Sequence, residues 1–412
     1  MSVSLSPSAD ALGLAPFSPF GIARLPRLLF GEGALGDLPK EVSALGRVLL
    51  LVTGARSLRA GRHGSSLFAA LARAGIQLHE VAVDGEPSPE TVDAAVAAFG
   101  DRGVEVVVGV GGGSALDAAK AIAGLLPHRH SVMRHLEGVG PEEPYRGPAL
   151  PLILVPTTAG TGSEATKNAV LTRHGRAGFK KSFRDEQLVA RTAIVDPLLL
   201  ETCPPEVVAA NGMDALTQLL ESFVSIKANP FTDALCWSGL EAFRDGLFAA
   251  FAGGPSEQAR AGRARMSYAA LLSGICLAQT GLGSVHGLAS PLGAQFPIPH
   301  GVCCGTLVCD ATRINLHALR ARQPESPALV KYARVGTLLT GDHRGDNVEA
   351  AERLTDLLDD WTQRLPLPRL AAYGVSENDL DAIIADSRGS SMKTNPLVLS
   401  DAEIRDLLRA RL

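Results

Sequence analysis

The first half of the chain alternates continuous apolar runs with stretches of helical period. Val48-Leu49-Leu50-Leu51-Val52-Thr53 has no polar interruption before its last residue. Such a run predicts a strand buried on both faces of a parallel sheet. Leu28-Leu29-Phe30, Gln77 to Val83, Val104 to Val110, Leu152 to Val155 and Ala193 to Val195 also read as strands. Between them, the apolar positions Leu67, Ala70 and Ala74, and the segment Glu90–Phe99 opened by Pro87 and Pro89, predict helices. Strands alternating with helices imply a parallel sheet covered on both faces.

Past Pro197 the pattern changes. Helical periods dominate over Pro205 to Ala210, Met213 to Ser225, Asp233 to Phe251 and Glu257 to Gly281. The pattern therefore predicts an N-terminal arm over residues 1–20, poor in charge and rich in Ser, Pro and Ala. It predicts an α/β domain with a mainly parallel sheet over 21–197. An all-α domain follows over 198–412.

Two glycine-rich stretches sit where strands hand over to helices or loops. Gly111-Gly112-Gly113-Ser114-Ala115-Leu116-Asp117-Ala118-Ala119-Lys120 follows the Val104–Val110 strand. Glycine lets the backbone approach a phosphate, and the next helix offers free N–H groups and its dipole. The motif is not G-x-G-x-x-G, and a bare turn is the alternative use of such glycines. Pro156-Thr157-Thr158-Ala159-Gly160-Thr161-Gly162-Ser163-Glu164 follows the Leu152–Val155 strand. Loops at that end of an α/β sheet are where ligands bind.

In the helical half, Asp214 and Gln218 are one turn apart on one helix face. His286 falls within a helical stretch. His300 follows Pro297 and Pro299, which break the helix before it, and so lies at or near a loop. Each histidine precedes a glycine. Asp plus two His suits a divalent metal, while buried structural polar groups are the other reading. His128, His130, His135, His174, His317 and His343 sit in polar surroundings and are expected at the surface.

Composition narrows the classes. The chain has 412 residues, 46% hydrophobic, with a net charge of −4 and both signs mixed throughout. No basic stripe awaits phosphates, so nucleic acid is not an expected partner. No apolar run reaches bilayer length and no signal peptide opens the chain, so a cytoplasmic protein off the membrane is expected. Cys203, Cys236, Cys276, Cys303, Cys304 and Cys309 include no C-x-x-C pair. They read as buried thiols in a reducing compartment, with a catalytic thiol at Cys303 or Cys304 as the alternative.

Together, Gly111–Lys120, Pro156–Glu164, Gly212-Met213-Asp214-Ala215-Leu216 and His286–Gly301 resemble the motifs of the iron-containing (group III) alcohol dehydrogenases, in the family's order and spacing. The resemblance implies hydride transfer between NAD(P)H and a small aldehyde or alcohol, in a cleft between an α/β dinucleotide-binding domain and a helical domain. It implies that Gly111, Gly112, Gly113 and Ser114 hold the pyrophosphate. Asp117, Thr157, Thr158, Thr161 and Ser163 would line the cofactor channel. Lys180 matches the lysine near the nicotinamide ribose, with Lys181 as its rival. Family members that prefer NAD often have an acid where this chain has Gly54, so with Ser57 and Arg56 nearby NADPH is expected to be accepted. A homodimer is expected.

One Asp and three His bind the family's divalent metal, usually Fe or Zn. Asp214, His286 and His300 match three of these positions, Gln218 replaces the fourth, and Ser290 stands where a substrate-side His is common. Four outcomes remain open on these residues. They are a metal held by Asp214, His286 and His300 with or without Gln218, a metal-independent reductase resembling maleylacetate reductases, a dehydroquinate synthase-like cyclase or lyase, and a catalytically weak nucleotide-binding homologue.

Overall fold

A computed structural model describes residues 19–55, 58, 62–175 and 178–412; most of the N-terminal arm, Arg56 and Ser57 lie outside them. Eight strands are present among the described residues: β1 (Arg27–Phe30), β2 (Val48–Gly54), β3 (Gln77–Val83), β4 (Val106–Gly111), β5 (Leu152–Pro156), β6 (Asn168–Arg173), β7 (Phe179–Arg184) and β8 (Thr192–Val195). Six of them form one parallel sheet in the order β1-β8-β5-β4-β2-β3. The uninterrupted runs lie at its centre, where β4 and β5 are buried at every position. Helices α1 (Leu38–Ser43), α2 (Arg62–Arg73), α3 (Pro89–Phe99) and α4 (Gly113–Leu125) belong to this half. The register pairs Thr53 with Val110 and Gly111 with Pro156. The C-terminal ends of β2, β4 and β5 are therefore level, and the two glycine-rich loops emerge side by side.

The apolar pattern does not announce one element. β6 and β7 form an antiparallel hairpin outside the main sheet. Its second strand, Phe179-Lys180-Lys181-Ser182-Phe183-Arg184, is mostly polar and half-buried, so it carries no strong period. Its apolar anchor is Phe183, fully buried between Tyr145 and the stacked ring of His135. His128 and His130 join that aromatic cluster. These three histidines are thus half-buried rather than at the surface, whereas His174, His317 and His343 are exposed.

The second half is helical: α5 (Pro205–Val224), α6 (Pro230–Ala252), α7 (Glu257–Thr280), α8 (Ser284–Gln295), α9 (His300–Arg322), α10 (Pro327–Thr340), α11 (Asn347–Arg364), α12 (Leu380–Asp386) and α13 (Asp401–Ala410). The two short helices expected on either side of Asn211-Gly212 are one helix, α5. Gly212 is not a break but a contact point. A Cβ there would sit 2.6 Å from Leu247 Cδ1, so its absence lets α6 pack close. α5 is buried almost throughout from Ala209 onward. A helix enclosed on all sides can place polar side chains only where they meet partners. No single described helix is long and apolar enough to cross a membrane.

Candidate functional site

A cleft of about 1510 Å³ runs between the two halves. At one end α4 starts directly from β4. Gly112 occupies its N-cap, and no side chain caps the helix, so the first N–H groups face the cleft's loops uncovered. Gly113 lies against Thr161, where a Cβ would be 2.7 Å from Cγ2. Gly112 faces Thr158, whose Oγ1 would lie 3.4 Å from a Cβ at that position. The second loop is clamped to the helical half. Gly162 has φ +59°, and a Cβ on it would be 2.4 Å from Gly274 Cα in α7. Neither residue tolerates a side chain, which is how loop and helix achieve contact.

Asp117 and Lys120 lock this end together. Asp117 accepts from Ser163 Oγ (2.5 Å) and from the Val170 N–H (3.1 Å). Lys120 is fully buried and donates to Ser163 Oγ, Thr166 Oγ1 and the Asn168 carbonyl at 2.7–2.8 Å. A buried ammonium with its donors satisfied ties α4 to the second loop and to β6. Glu164, equally buried, has its carboxyl pushed by burial to about 7.

At the other end four donors converge. His286 Nε2 lies 3.2 Å from Asp214 Oδ1, and His300 Nε2 lies 3.8 Å from the same atom. Cys304 Sγ is 3.6 Å from His286 Nε2 and 3.8 Å from His300 Nε2. All four ligand atoms fall within 4.8 Å of one another. His286 is the third residue of α8. His300 is the first residue of α9, next to the loop that ends at its N-cap Pro299. Cys304 follows one turn later on the same face.

Charge favours a cation here. Burial works against a charged ring at His286, yet Cys304, Glu221 and Asp214 prevail and hold its pKa well above the ordinary value. Burial pushes Asp214 upward, and His300 and His286 more than reverse it. At His300 burial dominates and takes the pKa down to about 4, although 28% of the side chain stays accessible. Burial pushes the Cys304 thiol up to about 12. Asp214 Oδ2 is buried with no partner. An orphaned carboxylate oxygen beside two imidazoles and a thiol fits a divalent metal.

Of the residues expected from sequence, Gly112, Gly113, Ser114, Asp117, Thr158, Thr161, Ser163, Lys180, Gln218, His286, Ser290 and His300 line this cleft. Asp214 is fully buried behind its wall. Gly54, Gly111 and Thr157 stand just behind, at the level strand ends, with the Thr157 N–H bonded to the Gly111 carbonyl (2.9 Å). Ser57 is outside the described residues. Lys180 and its rival Lys181 both line the cleft and are half-buried. Lys180 forms an ion pair with Glu86 and keeps 9% side-chain exposure. Ser290 donates its hydroxyl to the Lys180 carbonyl (2.9 Å), so its proton is committed to the backbone of β7. Gln218 Oε1 is engaged by the Ser273 hydroxyl at 2.6 Å.

Two residues were not anticipated in their present roles. Glu221 accepts from His286 Nδ1 (2.6 Å) and from the Gly283 and Val285 N–H groups (2.9 and 2.7 Å). Its sequence signal was its spacing, since Asp214, Gln218 and Glu221 stand at i, i+4 and i+7 of one helix. Cys304 carried the matching signal at i+4 from His300.

The family described as "Iron-containing alcohol dehydrogenase" matches residues 26–197, and "Fe-containing alcohol dehydrogenase family, C-terminal" matches 208–412. The chain belongs to the iron-containing alcohol dehydrogenases. It is 34% identical to the long-chain-alcohol dehydrogenase 1 of Geobacillus thermodenitrificans over 92% of this chain and 93% of that one. The solved structure of a 1,3-propanediol oxidoreductase superposes with a TM-score of 0.86 at 29% identity, covering 96% of this chain and 100% of the other. A sulfoacetaldehyde reductase from Bifidobacterium kashiwanohense, solved in complex with NAD+, gives a TM-score of 0.80 at 26% identity over 96% and 99% of the two chains. This chain is an NAD(P)-dependent alcohol and aldehyde oxidoreductase, of a family that uses a divalent metal.

Proposed function

We propose that the enzyme interconverts a small aldehyde and its alcohol with the dinucleotide along Gly111–Ser114 and the metal on Asp214, His286 and His300. One observation carries the reading. Asp214, fully buried, keeps one oxygen without a partner while its other oxygen lies within 3.8 Å of two imidazole nitrogens. A buried carboxylate in that state is stable when a cation completes it.

The bound metal supplies Lewis acidity toward the substrate oxygen. The chain's own groups do the rest. Glu221 takes the Nδ1 proton of His286 as a hydrogen bond, which fixes the tautomer and leaves the Nε2 lone pair for the site. The N–H groups at the start of α4 would hold the dinucleotide phosphates. Glu86 holds the Lys180 ammonium at the cleft wall, where the nicotinamide ribose is expected. Thr158 and Thr161, packed against Gly112 and Gly113, would line the pyrophosphate site.

Gly54 ends β2 without a carboxylate, which supports acceptance of NADPH. The β1 edge supports a homodimer. Leu28 and Phe30 are exposed there, with Phe20 and Ile22 nearby in sequence. An apolar edge strand with unpaired backbone groups is a surface for another chain. The six free thiols accord with a cytoplasmic setting.

The test is metal analysis of the enzyme purified without added metal, paired with turnover on NADH and NADPH before and after chelation. About one equivalent of metal per chain is expected, with activity lost on chelation and restored by the metal. NADPH is expected within about tenfold of NADH in kcat/KM, a difference of about 1.4 kcal/mol. A metal-free enzyme with full activity overturns the ligand assignment.

A further inference from the structure

We infer that Cys304 is the fourth protein ligand of the metal, supplying from another helix the donor that Gln218 does not. The inference rests on the proposed metal at Asp214, His286 and His300 and adds a sulfur donor to it.

Gln218 has a single atom able to bind a metal, its amide oxygen, and that oxygen is engaged by Ser273 at 2.6 Å. A second donor is present one turn beyond His300. Cys304 is completely buried, and its sulfur lies 3.6 and 3.8 Å from the two imidazole nitrogens. These separations match coordination geometry. Zinc donors at tetrahedral angles, with N or O at about 2.0–2.1 Å and S at about 2.3 Å, stand about 3.4 Å apart for N and O and about 3.6 Å from sulfur to nitrogen, and the ion can expand to five-coordinate to take the substrate oxygen. The Asp214 Oδ1 separations of 3.2 and 3.8 Å bracket the first value. The unpartnered Asp214 Oδ2 marks independently where a ligand is missing.

The alternative use of Cys304, as a buried apolar filler, does not require its sulfur against two imidazole nitrogens. On binding, the thiol proton leaves to solvent and the sulfur–metal bond replaces the S–H bond, with no change of oxidation state. A thiolate among two imidazoles and a carboxylate shifts the preference toward zinc and away from magnesium or manganese. The donor lost and the donor gained come from different helices, Gln218 from α5 and Cys304 from α9, so the ligand count is conserved while the position moves.

The test uses the full-length enzyme loaded with cobalt(II) or zinc. For the wild type we expect a thiolate-to-cobalt charge-transfer band in the near ultraviolet. X-ray absorption of the zinc form is expected to show one sulfur scatterer at about 2.3 Å. Cys304→Ser is expected to lose the band and to weaken metal binding by about 10- to 100-fold or more. Gln218→Ala is expected to keep the band and the sulfur scatterer. Stoichiometric metal with no sulfur scatterer in the wild type overturns the inference and leaves the three-ligand site intact. Loss of the scatterer in Gln218→Ala also overturns it. Failure of the wild type to bind metal at all overturns the underlying reading instead. If Cys304→Ser does not fold, the wild-type absorption spectrum alone decides.

Discussion

At the end of the cleft proposed for the cofactor, the groups on offer are backbone N–H groups and small side chains from two short stretches, Gly111–Lys120 and Pro156–Glu164. At the end proposed for the metal they are side chains from three helices, spread from Asp214 to Cys304. The first end depends on what is missing. Gly113 and Gly162 work because no Cβ fills the space beside Thr161 and Gly274. The second depends on what is present and how it is aimed. Glu221 orients His286, and α5 carries Asp214, Gln218 and Glu221 on one face. A site made of absences can be written contiguously in the chain. A site made of convergent donors requires that helices pack in one particular way.

The comparison implies that the two ends fail separately. The largest effect is expected for Asp214→Asn, which removes the charge shared by both histidines. Lewis-acid stabilisation worth several kcal/mol should disappear, and kcat should fall by about 10³-fold. Dinucleotide affinity, read by nicotinamide fluorescence, should stay within about twofold. A parallel loss of cofactor binding would show that the ends are coupled after all.

A smaller and opposite effect is expected for Gly113→Ala. Its Cβ would press on Thr161. The dinucleotide Kd should rise by about tenfold, or about 1.4 kcal/mol, with metal content unchanged by elemental analysis. Reduced metal content in this variant would again break the separation.

The smallest effect concerns stability. Glu164, in the second loop, has its carboxyl raised from 4.5 to about 7 by burial. The native chain therefore holds a proton there that the unfolded chain has released between those two values. Stability should fall as pH rises through that window and stay level above it, with a contribution on the order of 3 kcal/mol. Glu164→Gln should flatten this segment of the Tm-against-pH curve. An unchanged slope would mean that Lys120 compensates the charge fully.

Legibility followed the same division. β2, β4 and β5 were visible because strands buried on both faces leave an uninterrupted apolar run. The helix of His286 and its end before Pro297 followed from period and proline. The hairpin β6–β7 was not visible, because Lys180 and Lys181 break any alternation and only Phe183 anchors it. The supposed break at Asn211-Gly212 came from glycine's poor helix propensity, which the close packing of Leu247 overrides. Cys304 reads from sequence as a buried thiol or a catalytic one, and not as a neighbour of His286, because its neighbours in the site are distant in sequence.

The sequence by itself determined the central strands, the change from α/β to helical character and the two glycine loops, since each depends on local period or a contiguous motif. Only the tertiary structure decided that Glu221 stands behind His286, that Lys180 pairs with Glu86, that Ser290 bonds the backbone, and that the Cys304 sulfur lies beside His286 and His300. Those facts depend on distances between residues far apart along the chain. Such distances are set by how α5, α8 and α9 pack, through many small contacts that no single stretch encodes.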